Sequence, residues 1–153
     1  MKPQMSVFAT AAITAAALMG CSSKSETPQA EPATTDPQTQ TVEISYDDLL
    51  EQKQVSRSVN LSVGDFLQVS LGSNASTGDK WSEKMLISDP EVMAQTGHEA
   101  LPPVADRPGA PGKDVWVLQA MAPGNTTVSA TYGEPWPGGD KDIWVFTANV
   151  DVS

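Results

Sequence analysis

The residues that could carry catalysis are few. The chain holds one histidine, His98 in the run TGHEAL, and one cysteine, Cys21, at the end of an apolar N-terminal stretch. A nucleophilic site needs a Cys or Ser beside a base that a third group orients, and no such grouping can be read around His98. Metal ligation needs clustered His, Cys or carboxylate groups, whereas Asp140 and Asp142 in DKD read as a solvated turn. Asp47 and Asp48 are adjacent, so in extended chain they point to opposite sides. No glycine-rich motif precedes a helix to cradle a phosphate. The sequence therefore predicts no catalytic residue, no metal, no cofactor and no enzymatic activity.

Cys21 has a different chemistry. The chain opens MKPQMSVFATAAITAAALMGC, with Lys2, an apolar run from Val7 to Met19, and Gly20 directly before Cys21. Residues 1–20 read as a secretory signal, too short and too rich in Ala and Thr for a stable membrane span. LMGC resembles the bacterial lipobox, which implies that Cys21 receives lipid and anchors the mature chain. Several acyl chains bury enough methylene groups to hold a protein on a membrane. The expected location is the cell envelope, on the exported side. Residues 21–40, with SSKSETPQAEPATTDPQTQT following Cys21, hold almost no bulky apolar side chain, and a flexible tether is expected there. The folded domain is expected over 41–153. It has no cysteine, so its core must suffice without a disulfide.

The 153-residue chain has a formal net charge of −10, and its nine Lys and Arg form no run, which argues against nucleic acid as a partner. A monomer is expected.

The elements of this domain alternate with period two almost throughout. TVEISY places Val42, Ile44 and Tyr46 on one face; VSRSVNLSV places Val55, Val59, Leu61 and Val63 on one face; FLQVSL does the same with Leu67, Val69 and Leu71. Gly64-Asp65 marks a tight turn between the last two runs. DVWVLQAM and TTVSATY follow, joined at APGN, and DIWVFTANVDV closes the chain with Trp144, Phe146, Ala148, Val150 and Val152 on one side. Only YDDLLEQK and SDPEVMAQTG leave room for helix, the second with Asp89 as a cap and Pro90 at its first position. About seven short strands over about 110 residues, separated by turn signals, describe an all-β, immunoglobulin-like antiparallel β-sandwich.

Three loops rich in Gly, Pro and small polar residues separate these strands: SNASTGDKW, DRPGAPGKDVW and YGEPWPGGDKD. In order, GDFLQVSL, NASTGDKW, PGAPGKDVWVLQA, APGNTTVSATYGEPW and DIWVFTANV resemble the chagasin-like inhibitors of papain-type cysteine proteases. In that family the first loop is Asn-Pro-Thr-Thr-Gly-aromatic-x-Trp, the second is Gly-rich before an aromatic strand, and the third is Arg-Pro-Trp after a Tyr-containing strand. The resemblance implies an immunoglobulin-like sandwich whose three loops wedge reversibly into a papain-like protease. By position, Asn74, Ser76, Thr77 and Gly78, followed by Asp79, would face the target's catalytic cysteine. Gly109, Ala110, Pro111 and Gly112 would form one flank, and Glu134, Pro135 and Trp136 the other. Gly78 permits a positive φ, and Trp136 between two prolines offers a rigid aromatic anchor. Trp81 is expected to open the next strand and to pack inward.

The chain departs from the family at three positions. Ala75 stands where proline is usual, Asp79 where an aromatic is usual and Glu134 where arginine is usual. Ala75 should loosen the first loop, and two negative charges at the contact face should repel an acidic cleft rim. Asp79 and Glu134 favour an alternative in which an envelope lipoprotein uses the same loops to bind another protein or a glycan. Asn74-Ala75-Ser76 is also a glycan acceptor sequence in secreted eukaryotic proteins, but the lipobox upstream argues against that use.

Overall fold

The computed structural model describes residues 36–153. The signal sequence, Cys21 and most of the tether stretch lie outside the described residues. Among the described residues, nine strands form two sheets. The first sheet has the order β1 (Thr39–Ile44), β3 (Phe66–Ser73), β7 (Gly112–Ala120) and β6 (Met93–Leu101). The second has the order β2 (Gln54–Leu61), β9 (Trp144–Val152), β8 (Gly124–Gly133) and β4 (Lys80–Trp81), with β5 (Leu86–Ile87) also pairing with β8. Strand β1 begins at Thr39, inside the stretch read as tether.

The sandwich is the one the alternation predicts. Leu67, Val69 and Leu71 of β3, Trp116 and Leu118 of β7, Val128, Ala130 and Tyr132 of β8, and Phe146, Ala148 and Val150 of β9 are all buried in one core. Each set lies at every second residue, so a one-residue slip of any strand would turn its apolar face to water. The inner pairings are antiparallel, but β1 runs parallel to β3 and β2 parallel to β9. Parallel neighbours cannot be joined by a tight turn, and here they are not consecutive. The chain leaves β1 in the first sheet, enters β2 in the second, and returns to β3 in the first.

Two expectations are corrected at this crossing. Tyr46 does not continue β1; it is the first residue of α1 (Tyr46–Glu51), which Ser45 caps through a reciprocal capping box with Asp48. The Ser45 hydroxyl accepts from the Asp48 amide, and the Asp48 carboxylate accepts from the Ser45 amide. Val63 lies beyond the end of β2 in the Gly64 turn and is 48% exposed. The helix start packs closely on β3 at Gly72, where a Cβ would lie 2.3 Å from the Tyr46 amide nitrogen.

The second helix candidate is mostly strand. Asp89 does start a turn: its carbonyl accepts from the Val92 and Met93 amides, and its carboxylate accepts from Glu91. The chain then extends as β6, at the edge of the first sheet, with an irregularity between Gln95 and Gly97.

Candidate functional site

The three loops meet at one end of the sandwich because of the strand register. Ser73 at the end of β3 pairs with Gly112 at the start of β7, which roots the first and second loops side by side. Lys80 of β4 pairs with Gly133 at the end of β8, which roots the first loop beside the third. Glycine is required at two of these roots. A Cβ on Gly112 would lie 2.5 Å from the Leu101 carbonyl oxygen, and one on Gly133 would lie 2.3 Å from the Asp140 carbonyl oxygen.

Beneath the loops lies an aromatic floor. Trp81, Tyr132 and Trp144 are buried together, with Tyr132 stacked on Trp144 at a centroid distance of 4.6 Å and Trp81 5.1 Å from Tyr132. Trp81 packs inward as expected, and its indole nitrogen donates to the Gly72 carbonyl at 2.9 Å. Pairs of this kind contribute beyond the area they bury and fix a rigid base.

The first loop is built on Asn74. This side chain is buried; its Oδ1 accepts from the Ser76 amide at 3.0 Å and from the Ser76 hydroxyl at 2.6 Å, while its Nδ2 donates to the Gly109 carbonyl at 3.3 Å. Asn74 therefore ties the first loop to the second and is not itself at the surface. Ala75–Thr77 form a single 3-10 turn, and Gly78 ends it in the left-handed region with φ 86°. The Thr77 hydroxyl donates to the Asn74 carbonyl at 2.9 Å and accepts from the Asp79 amide at 3.2 Å. The exposed tip consists of Ala75, Ser76, Thr77 and Gly78. Ala75 sits within this hydrogen-bonded turn, so its loss of a proline constraint is met by side-chain bonds from its neighbours.

The second loop spans 102–111. Gly109 has φ 76° and Pro111 is exposed, but Ala110 is only 6% exposed and Gly112 belongs to β7. Of the four residues expected on this flank, Gly109 and Pro111 reach the surface most fully. Val104, which the sequence reading passed over, is a fully exposed apolar side chain in the same loop. A lone valine in a Pro/Gly-rich run is the signal that marks it.

In the third loop Pro135 and Trp136 are exposed, and Trp136 leans toward the first loop. A Cβ on Gly78 would meet the Trp136 ring at 3.6 Å, an ordinary contact distance. Glu134 is half-buried, and its carboxylate is hydrogen-bonded within the third loop. Its carboxylate accepts from the Asp140 amide at 3.0 Å, and its own amide donates to the Asp140 carbonyl at 2.7 Å. Asp79 is half-buried and lines a recess of about 330 Å³ with Ala75, Trp81, His98 and Asp114.

His98 is engaged rather than free. Its Nε2 lies 2.9 Å from Asp114 Oδ1, and its ring stacks on Trp116 at 4.9 Å. Among the described residues, no three His, Cys, Asp or Glu side chains gather as metal ligands would.

Residues 60–150 match the profile described as chagasin family peptidase inhibitor I42. Among solved structures, a cysteine protease inhibitor from Entamoeba histolytica, EhICP2, superposes with a TM-score of 0.56 at 18% identity, covering 76% of this chain and 97% of that one. PbICP-C, solved in complex with falcipain-2, superposes with a TM-score of 0.54 at 19% identity, covering 76% and 99%. At these identities the likeness is one of fold. A search of curated proteins returned no significant match.

Proposed function

The chain belongs to the chagasin family of peptidase inhibitors, and on that premise we propose that it inhibits papain-type cysteine proteases reversibly, its three-loop end occluding the active-site cleft. A chagasin-family peptidase inhibitor is not an enzyme. One observation carries the reading. The exposed tip Ala75–Gly78 is tied to the second loop through the Asn74–Gly109 bond, lies beside Trp136 of the third, and rests on the buried floor through the bonds of Asn74 to Tyr132. A narrow projecting turn of small residues fits a cleft, because its main chain can approach closely. Two flanking loops add area and an aromatic anchor. The solved complex of PbICP-C with falcipain-2, a protein of the same fold, supports a target of this class.

The proposed contact residues are Ser76, Thr77, Gly78 and Asp79 at the tip, Gly109 and Pro111 on one flank, and Pro135 and Trp136 on the other. Asn74, Ala110, Gly112 and Glu134 act from within, by holding the loops. Anchoring through a lipid on Cys21 at the exported face of a membrane rests on the sequence alone, and loss of the protein from the membrane fraction in Cys21→Ala tests it.

The inhibitory reading is tested by titrating residues 36–153, which contain the whole sandwich, against active-site-titrated papain and related enzymes. Reversible competitive inhibition is expected, weakened roughly tenfold or more in Trp136→Ala. No inhibition of any enzyme of the class at micromolar concentration would overturn it. A second reading, a binding module for another envelope protein, is favoured by Asp79. This carboxylate places charge beside the tip where the family has an aromatic, and retrieval of a non-protease partner through Asp79 would support that reading.

A further inference from the structure

The third loop contains a single basic residue, Lys141, among Glu134, Asp140 and Asp142. Its ammonium group is not spent on those carboxylates. It donates to the Glu134 carbonyl at 2.6 Å and to the Trp136 carbonyl at 2.6 Å. The Trp136 carbonyl also accepts from the Gly139 amide at 3.2 Å, so two donors fix the backbone of the one exposed tryptophan. Gly138, with φ 86°, turns the chain so that this can happen. The Glu134 carboxylate closes the same ring from the other side through the Asp140 amide. A Cβ on Gly139 would lie 2.4 Å from the Glu134 Cβ and 3.0 Å from the Trp136 indole nitrogen, so the glycine lets the two halves of the loop close on each other.

We propose that Lys141 is a positioning residue for inhibition: it clamps the third loop from within and presents Trp136 against Gly78 in a binding-ready orientation. The proposal rests on the inhibitory reading above. It also gives Glu134 a role, because the position that holds an arginine in the family here helps to close a self-contained loop. A flexible loop must be ordered when it binds, and a loop ordered beforehand avoids that cost. Charge-assisted bonds from an ammonium to carbonyl oxygens are shorter and stronger than neutral ones, which suits a single residue to the task. Lys141 itself is exposed, so its removal leaves the buried core untouched and acts on the loop.

Two measurements on one set of variants test this. Trp81, Trp116 and Trp144 are buried and Trp136 is 46% exposed, so protein labelled with 5-fluorotryptophan gives one resonance that reports on the loop. Lys141→Met keeps the aliphatic stem and removes the donors. It is expected to weaken papain inhibition roughly tenfold and to shift or broaden the Trp136 fluorine line, with the other three lines unchanged. Lys141→Arg, which retains donors for both carbonyls, should restore both readouts in large part. Lys84→Met, an equal change of charge at an exposed lysine outside the loops, should change neither. The proposal is overturned if Lys141→Met inhibits like the parent protein, or if its Trp136 line is unaltered. If the parent protein inhibits no papain-type enzyme, the inhibitory reading falls by itself, and the fluorine comparison still decides whether Lys141 holds Trp136.

Discussion

The phenolic oxygen of Tyr132 lies 3.3 Å from both the amide nitrogen and the carbonyl oxygen of Asn74, so the last buried side chain of β8 grips the first residue of the loop that follows β3. A hydroxyl can accept one of these bonds and donate the other only while protonated. Burial pushes the Tyr132 pKa up from its ordinary value, with hydrogen bonds from Thr77 and Asn74 pulling the other way, so the protonated form persists across the physiological range.

Tyr132→Phe removes both bonds to Asn74 and the 3.4 Å contact with the Thr77 hydroxyl; the Asn74 carbonyl keeps the Thr77 hydroxyl as donor, but the Asn74 amide loses its partner. A loss of about 1–3 kcal/mol in unfolding free energy is expected, because a buried donor or acceptor left unmade costs its desolvation. The ring and its stacking on Trp144 remain, so the fold should persist. Urea midpoints of the two proteins measure the difference, and a shift of less than about 0.5 kcal/mol would show that water replaces the hydroxyl.

Gly78 is held at φ 86°, and the space beside it is open up to the Trp136 ring at 3.6 Å. Gly78→Ala therefore meets conformational strain without a clash, and a loss of about 1–2 kcal/mol is expected. Gly78→Val should lose more, since its methyl groups reach the tryptophan ring. Thermal melts rank the three proteins, and Ala and Val variants of equal stability would refute the contact with Trp136.

How much of this was legible follows from which residues are buried on one side only. β3, β7, β8 and β9 each show apolar residues at every second position because one face of each meets the core, and those four strands also root the three loops. The loop cluster could therefore be inferred from the strands and the order of the motifs. β6 could not: its clear apolar residues, Met93 and Leu101, lie at its ends, and between them Gln95, Thr96, Gly97 and Glu99 suit an exposed sheet edge without alternation. The Asp89-Pro90 signal before it is real but supports one turn only. The parallel pairings at β1 and β2 are set by the crossing between sheets, which no local pattern records. Glu134 and Lys141 carried no signal either, because their roles depend on backbone atoms that the loop brings together.

The buried carboxylate of Asp114 has His98 as its side-chain partner, and the imidazole also covers Trp116. His98→Ala removes the bond and the stacked ring together, and about 1–3 kcal/mol of destabilisation is expected. His98→Asn, which offers Asp114 a donor again, should recover part of it. Equal stability of the parent and His98→Ala, by urea unfolding at neutral pH, would mean that the pair contributes nothing.

Asp48 and Asp65 each hold a chain crossing through hydrogen bonds that favour the ionised carboxylate. Asp65 accepts from the Gln38 amide and the Ser62 amide, both at 2.9 Å, which joins the start of β1 to the turn before β3; Asp48 accepts from the Ser45 hydroxyl and amide at the cap of α1. These bonds hold both carboxyls below the usual carboxylate value of about 3.9. The folded protein thus binds protons less readily than the unfolded chain, so stability rises with pH through this window. Their contribution is fully present above about pH 4 and is lost as pH falls through the lowered folded values. Asp65→Asn keeps one acceptor and removes the titration, so it should be less stable than the parent at neutral pH. The gap should narrow as the pH drops below about 4, because protonation removes the same advantage from the parent. Urea midpoints of both proteins from neutral to strongly acid pH measure the gap, and a gap that stays constant across that range would show that the Asp65 charge has no part in holding β1.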